Sequence, residues 1–250
     1  MDQKTKIKII NSPDSLHPFA VLDKPAGIPS APLHDSDESA LAFAIENFPE
    51  IKKISGKKNV EHGLIHRIDT ETSGLVLVAL SQEFYDFMMN EQKEDRFEKW
   101  YRAEIKKDFD LSKKIDGFPL PPLSLENLEI KIKGKEKIKV ASAFRKFGPG
   151  GKEVRPVSEK SGTAAMKKSG LKLYETEIIF HSDEKAVAHI TKGFRHQVRC
   201  HLAWLGFPVE GDKIYNPIAR TGGENKKMRF EAFRIKFMNP NTGHPEVFEI

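Results

Sequence analysis

His66-Arg67-Ile68-Asp69-Thr70-Glu71-Thr72-Ser73-Gly74 runs directly into Leu75-Val76-Leu77-Val78-Ala79-Leu80. The second stretch is a short, unbroken apolar run rich in Val and Leu and bounded by Gly and Ser, which predicts a strand buried on both faces. The first is polar and crowded, so it predicts a loop that sets the Asp69 carboxylate at the lip of a packed core. Carboxylates so placed are candidates for altered acid–base chemistry. A lone loop Asp is more often a turn former or a cap. Only Glu71 accompanies it on the same element, so a paired acid and base of the glycosidase kind has little support. A single carboxylate acting as a nucleophile stays open.

Upstream, Phe19-Ala20-Val21-Leu22 before Asp23-Lys24-Pro25-Ala26-Gly27 predicts a strand that ends in a turn, with Lys24 a solvated turn residue. Leu41, Phe43, Ala44 and Phe48 predict a short amphipathic helix from Ser39 to Phe48. Downstream, Ser81 has the chemistry of an N-cap for a helix reaching about Glu94. Lys99 to Ile105 alternates, which puts Tyr101, Ala103 and Ile105 on one face of a strand. Residues 106–173 predict loops and short antiparallel strands on a basic flank. Within them Lys131 to Lys139 forms an exposed strand, Gly148 to Gly151 a turn cluster and Ser158 to Gly170 an exposed loop. Tyr174 to Phe180 and Lys185 to Ile190 predict a hairpin. Phe194 to Leu205 predicts a helix stopped by Gly206, with Arg195 and Arg199 neighbours on one face and Val198, Leu202 and Leu205 the buried stripe. No βαβ rhythm and no solenoid repeat emerges. The pattern therefore predicts an α+β fold with a mixed, largely antiparallel sheet flanked by helices and loops, in a single domain over 1–250.

A chain of 250 residues with 38% hydrophobic content supports one sizeable core. The net charge of +5 is spread among 31% charged residues, a balance that favours a polyanionic partner such as RNA or DNA. Cys200 is the one cysteine, which excludes an intrachain disulfide and a cysteine-rich zinc site. His62-x-x-x-His66-x-x-Asp69 has metal-ligand spacing, with His181, His189, His196 and His201 available to complete a site. Gly63 and the turn residues argue against a helix there, so these side chains need not converge and no metal is expected. The first ten residues hold no apolar stretch of signal-peptide length, and Leu75 to Leu80 is too short to span a bilayer. A cytoplasmic protein with no membrane association is the expectation.

Taken in order, these pieces resemble the RluA family of pseudouridine synthases. The family's signature loop, His-Arg-Leu-Asp followed by Thr-Ser-Gly and an apolar strand, is matched by His66-Arg67-Ile68-Asp69 with Thr72-Ser73-Gly74-Leu75. Supporting it are Val21 to Gly27, the Lys99-x-Tyr101 strand, and His196-Gln197-Val198-Arg199-x-His201-Leu202-Ala203. Gly206-x-Pro208-x-x-Gly211-Asp212-x-x-Tyr215, Glu231-Ala232-Phe233-Arg234 and Thr242-Gly243 follow the same pattern. One departure stands out: the family has Gly-Arg before its His-Gln pair, and here Gly193-Phe194-Arg195 puts Phe in that place.

The resemblance implies the pseudouridine synthase catalytic fold with its active site in a central cleft and no separate N-terminal RNA-binding domain. It also implies an isomerase that converts a uridine in structured rRNA or tRNA to pseudouridine, without cofactor or metal. Asp69 would be the nucleophile, Tyr101 the base for the proton on carbon 5 or a packing partner of the ring, and Arg199 the counter-ion of Asp69. Arg67 would help fill the space the flipped nucleotide leaves, with His66, Lys24, Lys99 and Arg195 as further RNA contacts. RNA is the partner, a monomer the assembly, and DNA is not expected, since no helix-turn-helix or zinc-finger pattern is present. The alternative is a non-catalytic RNA-binding protein of the same fold.

Overall fold

The structure, a computed structural model, describes residues 6–32, 34, 37–108, 110, 115–170, 172–221 and 227–250. The chain divides into two compact units, Met1–Trp100 with Glu231–Ile250, and Tyr101–Phe230. In chain order, the first unit begins with β1 (Lys8–Asn11), β2 (Phe19–Lys24), α1 (Ala40–Asn47), β3 (Ser73–Ala79) and α2 (Gln82–Lys93). The division falls inside β4 (Glu98–Glu104). The second unit holds α3 (Leu125–Lys133), β5 (Ile138–Phe147), β6 (Glu153–Val157), α4 (Thr163–Lys167), β7 (Tyr174–Ser182), β8 (Lys185–Ile190), α5 (Gln197–Trp204) and α6 (Pro217–Arg220). It falls again at the start of β9 (Phe230–Met238), which with β10 (Pro245–Glu249) completes the first unit.

In the first unit the sheet order is β1-β2-β3-β9, with β10 on β9. Pairing is antiparallel throughout except between β3 and β9, where Ser73 lies beside Glu231 and Gly74 beside Ala232 in parallel. β3 is the strand the apolar run predicts: Leu75 through Ala79 are all fully buried, so neither face meets solvent. Leu75, Leu77 and Ala79 pack with Phe19, Val21, Phe84, Met88, Phe97, Ile235 and Phe237 in one core. Ser81 caps α2 as its chemistry predicts, its hydroxyl accepting from the Phe84 amide at 3.2 Å, and Ser39 caps α1 through the Ala42 amide at 3.0 Å. β3 can begin where it does because residue 74 is glycine. Its φ is +118°, and a Cβ there would lie 2.3 Å from the Ala232 carbonyl oxygen.

In the second unit the order is β8-β7-β5-β6, antiparallel at every pair. The expected hairpin is β7 and β8. Three other expectations are corrected. Lys131 to Lys139 is not a strand: Ser124 caps α3 through the Asn127 amide at 3.3 Å, Leu128 is buried at helical spacing, and only from Ile138 does the chain enter β5. The lysine alternation lies on the solvent side and carries no packing signal. Ser158 to Gly170 is not all loop, since it holds α4. The late helix starts at Gln197 and not Phe194, because His196 adopts a left-handed φ of 54°. Arg195 is thus outside α5 and shares no helix face with Arg199, and all eight α5 residues are buried, not only a stripe. Among the described residues no helix is long and apolar enough to cross a membrane.

Gly74→Ala should lower unfolding stability by at least about 2 kcal/mol, since positive φ and a backbone clash act together at a site with no slack. A urea midpoint equal to wild type would contradict this reading of the β3–β9 junction.

Candidate active site

The loop between Ile65 and Thr72 is held by its backbone, not by its exposed side chains. The Ser30 hydroxyl donates to the Ile68 carbonyl at 2.7 Å and accepts from the Ile68 amide at 3.1 Å, gripping both polar groups of one residue. One residue beyond Asp69, the Thr70 carbonyl accepts from the Gly27 amide at 2.8 Å and from the Lys24 ammonium at 3.2 Å. The Asp69 carbonyl closes a turn by accepting from the Thr72 amide at 3.0 Å. Asp69 is half-buried, flanked by clamped residues on both sides. A side chain so placed gives up little further entropy on taking up a reactive geometry.

Lys24 is not the solvated turn residue that its sequence context suggests. It is fully buried, and its ammonium donates to the carbonyls of Ile28 at 2.7 Å, Pro25 at 3.0 Å and Thr70 at 3.2 Å. Burial pushes its pKa down to about 8, while the charges of Asp69, Glu71 and Asp23 oppose that fall. At neutral pH it therefore remains largely a cation, and Asp69 is foremost among the carboxylates that favour its charge.

A second buried pair lies behind the same loop. His66 accepts at Nε2 from the Leu77 amide at 3.2 Å, which puts the ring proton on Nδ1. That Nδ1 has no hydrogen-bond partner among the described residues. The ring meets Phe97 edge-on at 5.0 Å, and the Lys99 ammonium sits 4.0 Å above the Phe97 ring while donating to the Phe97 carbonyl at 2.9 Å. Burial, reinforced by the Lys99 charge, lowers the His66 pKa to about 3, so the ring is neutral. Burial brings Lys99 down to about 7. Lys24, His66 and Lys99 are all buried, and Lys24 and His66 tie the loop to its surroundings through the Thr70 carbonyl and the Leu77 amide. Arg67 is different: it is exposed, and its Nη1 pairs with Glu61 at 2.8 Å.

The second unit carries Tyr101, Arg195 and Arg199. Tyr101 is buried in β4, stacked on Phe230 with ring centroids 5.1 Å apart and planes 8° from parallel. Arg199 is buried on α5, and its Nε and Nη2 engage Asp212 at 2.7 and 2.8 Å, a two-pronged pair. A buried Arg wants a carboxylate for its planar fork, and Asp212 supplies one. Asp212 is fully buried and also accepts from the Ile214 amide at 2.8 Å and the Tyr215 amide at 3.2 Å. Arg195 is exposed, its Nη1 donating to the Gly151 carbonyl at 3.2 Å. The histidines with ligand-like spacing do not converge: among the described residues no group of three His, Cys, Asp or Glu side chains could hold a metal ion.

A family profile described as RNA pseudouridylate synthase matches residues 18–204, a span that contains the clamped Asp69 loop. The chain belongs to that family. Among curated relatives it is 27% identical over 211 residues to the ribosomal large subunit pseudouridine synthase D of Borreliella burgdorferi, covering 83% of this chain and 54% of the relative. It is 29% identical over 201 residues to the tRNA pseudouridine(31) synthase of Saccharomyces cerevisiae, covering 78% of this chain and 43% of the relative. The chain thus spans about half the length of these two proteins. The fold matches that of human RNA pseudouridylate synthase domain containing 1 with a TM-score of 0.63 at 18% identity, covering 98% of this chain and 82% of that one. For a pseudouridylate synthase family chain, two residues matter more than the sequence reading credited. Asp212 carried a signal, the Gly211-Asp212-x-x-Tyr215 spacing, whereas Ser30 is a lone loop serine with none.

Lys99 gives a pH dependence with a definite sign. Between about pH 7 and its ordinary value of 10.5, the unfolded chain holds a proton that the folded protein has shed, so stability rises with pH across that window. Lys99→Met should remove this part of the slope in urea unfolding measured near both limits; an unaltered slope would mean that Lys99 is not the group responsible.

Proposed function

We propose that this protein converts a uridine within RNA to pseudouridine, with Asp69 as the nucleophile. The observation that carries the reading is the clamped Asp69 loop, in a chain of this family that carries His66-Arg67-Ile68-Asp69 followed by Thr72-Ser73-Gly74. The reaction breaks the bond from N1 of uracil to the ribose and forms one from carbon 5. It leaves the redox level unchanged and needs no cofactor. Asp69 attacks either the pyrimidine ring or the anomeric carbon, and must be ionised to do so. The charge of Asp69 in turn favours the cationic form of the buried Lys24.

After reattachment the proton on carbon 5 must leave, and Tyr101 is the proposed base, acting directly or through one water. Arg199, fixed in place by Asp212, completes the proposed catalytic set. Arg67 and Arg195, both exposed, are the proposed RNA contacts, Arg67 filling the stack that the flipped uridine vacates at a cost of a few kcal/mol. The substrate is proposed to be rRNA or tRNA, and not DNA, acted on by a monomer in the cytoplasm, a compartment suited to a single cysteine that is buried and unpaired with any disulfide partner.

A pseudouridine map of cellular RNA with and without the gene tests this reading and names the target. We expect sites lost in the deletion to return with wild type and not with Asp69→Asn, while Asp69→Asn binds that RNA with unchanged affinity. An active Asp69→Asn enzyme would overturn the assignment. Tyr101→Phe should bind and begin the reaction but stall before release of the product, seen as a retained enzyme–RNA adduct; normal turnover would remove Tyr101 from proton transfer.

A further inference from the structure

Phe194 stands where the RluA pattern has arginine, and the structure shows what it does instead. It lies partly buried between β8 and α5. Its ring stacks on Phe144 of β5, with centroids 5.0 Å apart and planes 5° from parallel, and meets Tyr174 of β7 at 5.0 Å and 52°. Phe144 is 4% exposed, whereas Phe194 and Tyr174 are only partly buried, so the trio is rooted in the core at one end and reaches the surface at the other. Two lysines act on Tyr174 at the outer end. The Lys172 ammonium lies 5.5 Å from the Tyr174 ring centroid, and the Lys192 charge acts on the Tyr174 hydroxyl. Arg195 follows in the chain and is exposed. The carboxylate nearest in sequence, Glu175, is engaged by Lys139 at 3.2 Å.

Phe194 and Tyr174 pack against the core through Phe144, yet stay partly exposed beside Lys172 and Lys192. Aromatic faces interleaved with cations suit single-stranded nucleic acid: bases stack on the rings, and phosphates follow the charges. We propose that Phe194 and Tyr174 form a stacking platform for an unpaired base of the RNA substrate, with Lys172, Lys192 and Arg195 holding the flanking phosphates. This rests on the RNA reading above and names one contact of that substrate. Exchanging arginine for phenylalanine removes a charge and keeps a plane, so the contact senses a base and not a phosphate.

The test uses the full chain and two probes, a short uridine-rich single-stranded RNA and an abasic ribose-phosphate chain of the same length. Phe194→Leu keeps apolar contact with Phe144 and loses the plane. It should weaken binding of the base-bearing probe about tenfold while leaving the abasic probe and the salt dependence unchanged. Phe194→Trp serves as a second variant: its fluorescence should be quenched by the base-bearing probe beyond the response of Trp100 and Trp204 in wild type. Equal affinities of Phe194→Leu and wild type for both probes, an equal loss on both, or an unquenched Phe194→Trp would each overturn the platform. Base stacking without pseudouridine formation would keep the platform and sink the synthase reading; pseudouridine formation without stacking would do the reverse.

Discussion

The hydrogen bonds that clamp Ile68 and Thr70 are the constraint on which the rest depends. A carboxylate on a mobile loop would be solvated, and its direction would be averaged over many rotamers. Here the residues on either side of Asp69 have their peptide groups tied to Ser30, Gly27 and Lys24, which belong to β2 and the turn after it. The register of β2 on β3 therefore sets the height of the loop: Lys24 pairs with Gly74 at one end of the ladder, and Phe19 with Ala79 at the other. A slip of one residue would move Lys24 away from Thr70 and exchange the two faces of the strand, setting each side chain against the wrong neighbours.

Holding the loop this way requires burying an ammonium. A cation out of water is unfavourable unless its donors are taken, and Lys24 places its donors on three carbonyls. Those carbonyls come from the turn after β2 and from the loop before β3, so one side chain ties the two together. Lysine suits this role better than arginine, because a compact ammonium with three rotatable donors fits acceptors arranged around a point, and a planar fork does not. Arg199 shows the opposite case: its flat guanidinium faces the flat carboxylate of Asp212, where a fork is the right shape.

Those elements were legible in the sequence whose signal is periodic and apolar. β3 declared itself through an unbroken run, α2 through its serine cap and spacing, and the β7–β8 hairpin through alternation. α3 was hidden because its lysines alternate in the period of a strand while Leu128 alone packs, so the louder pattern belonged to the solvent side. The start of α5 was misplaced because a left-handed His196 leaves no mark in composition. In the site, Asp69 and Arg199 could be singled out by residue type and neighbours. The burial of Lys24 could not, since Lys before Pro reads as a turn until the carbonyls that surround it are in place. Nor could the choice of Asp212, which lies 13 residues from Arg199 and is joined to it only by the fold.

The same contrast governs how much charge the protein presents to solvent. A surplus of five positive charges suggests an open basic surface, yet the structure withdraws many cations from use. Lys24 and Lys99 are buried, Arg155 is 1% exposed with Glu153 at 2.6 Å, and Lys137 and Lys139 are tied to Glu177 at 2.9 and 3.2 Å. Glu177 answers by holding its own pKa down to about 2, chiefly through its bond to Lys137, so this lattice stays ionised across the physiological range. Composition therefore overstates the charge that phosphates can reach. Counterion release scales with the cations that touch phosphate, not with those the chain contains. A protein that spends its lysines internally keeps fewer of them for contact with phosphate.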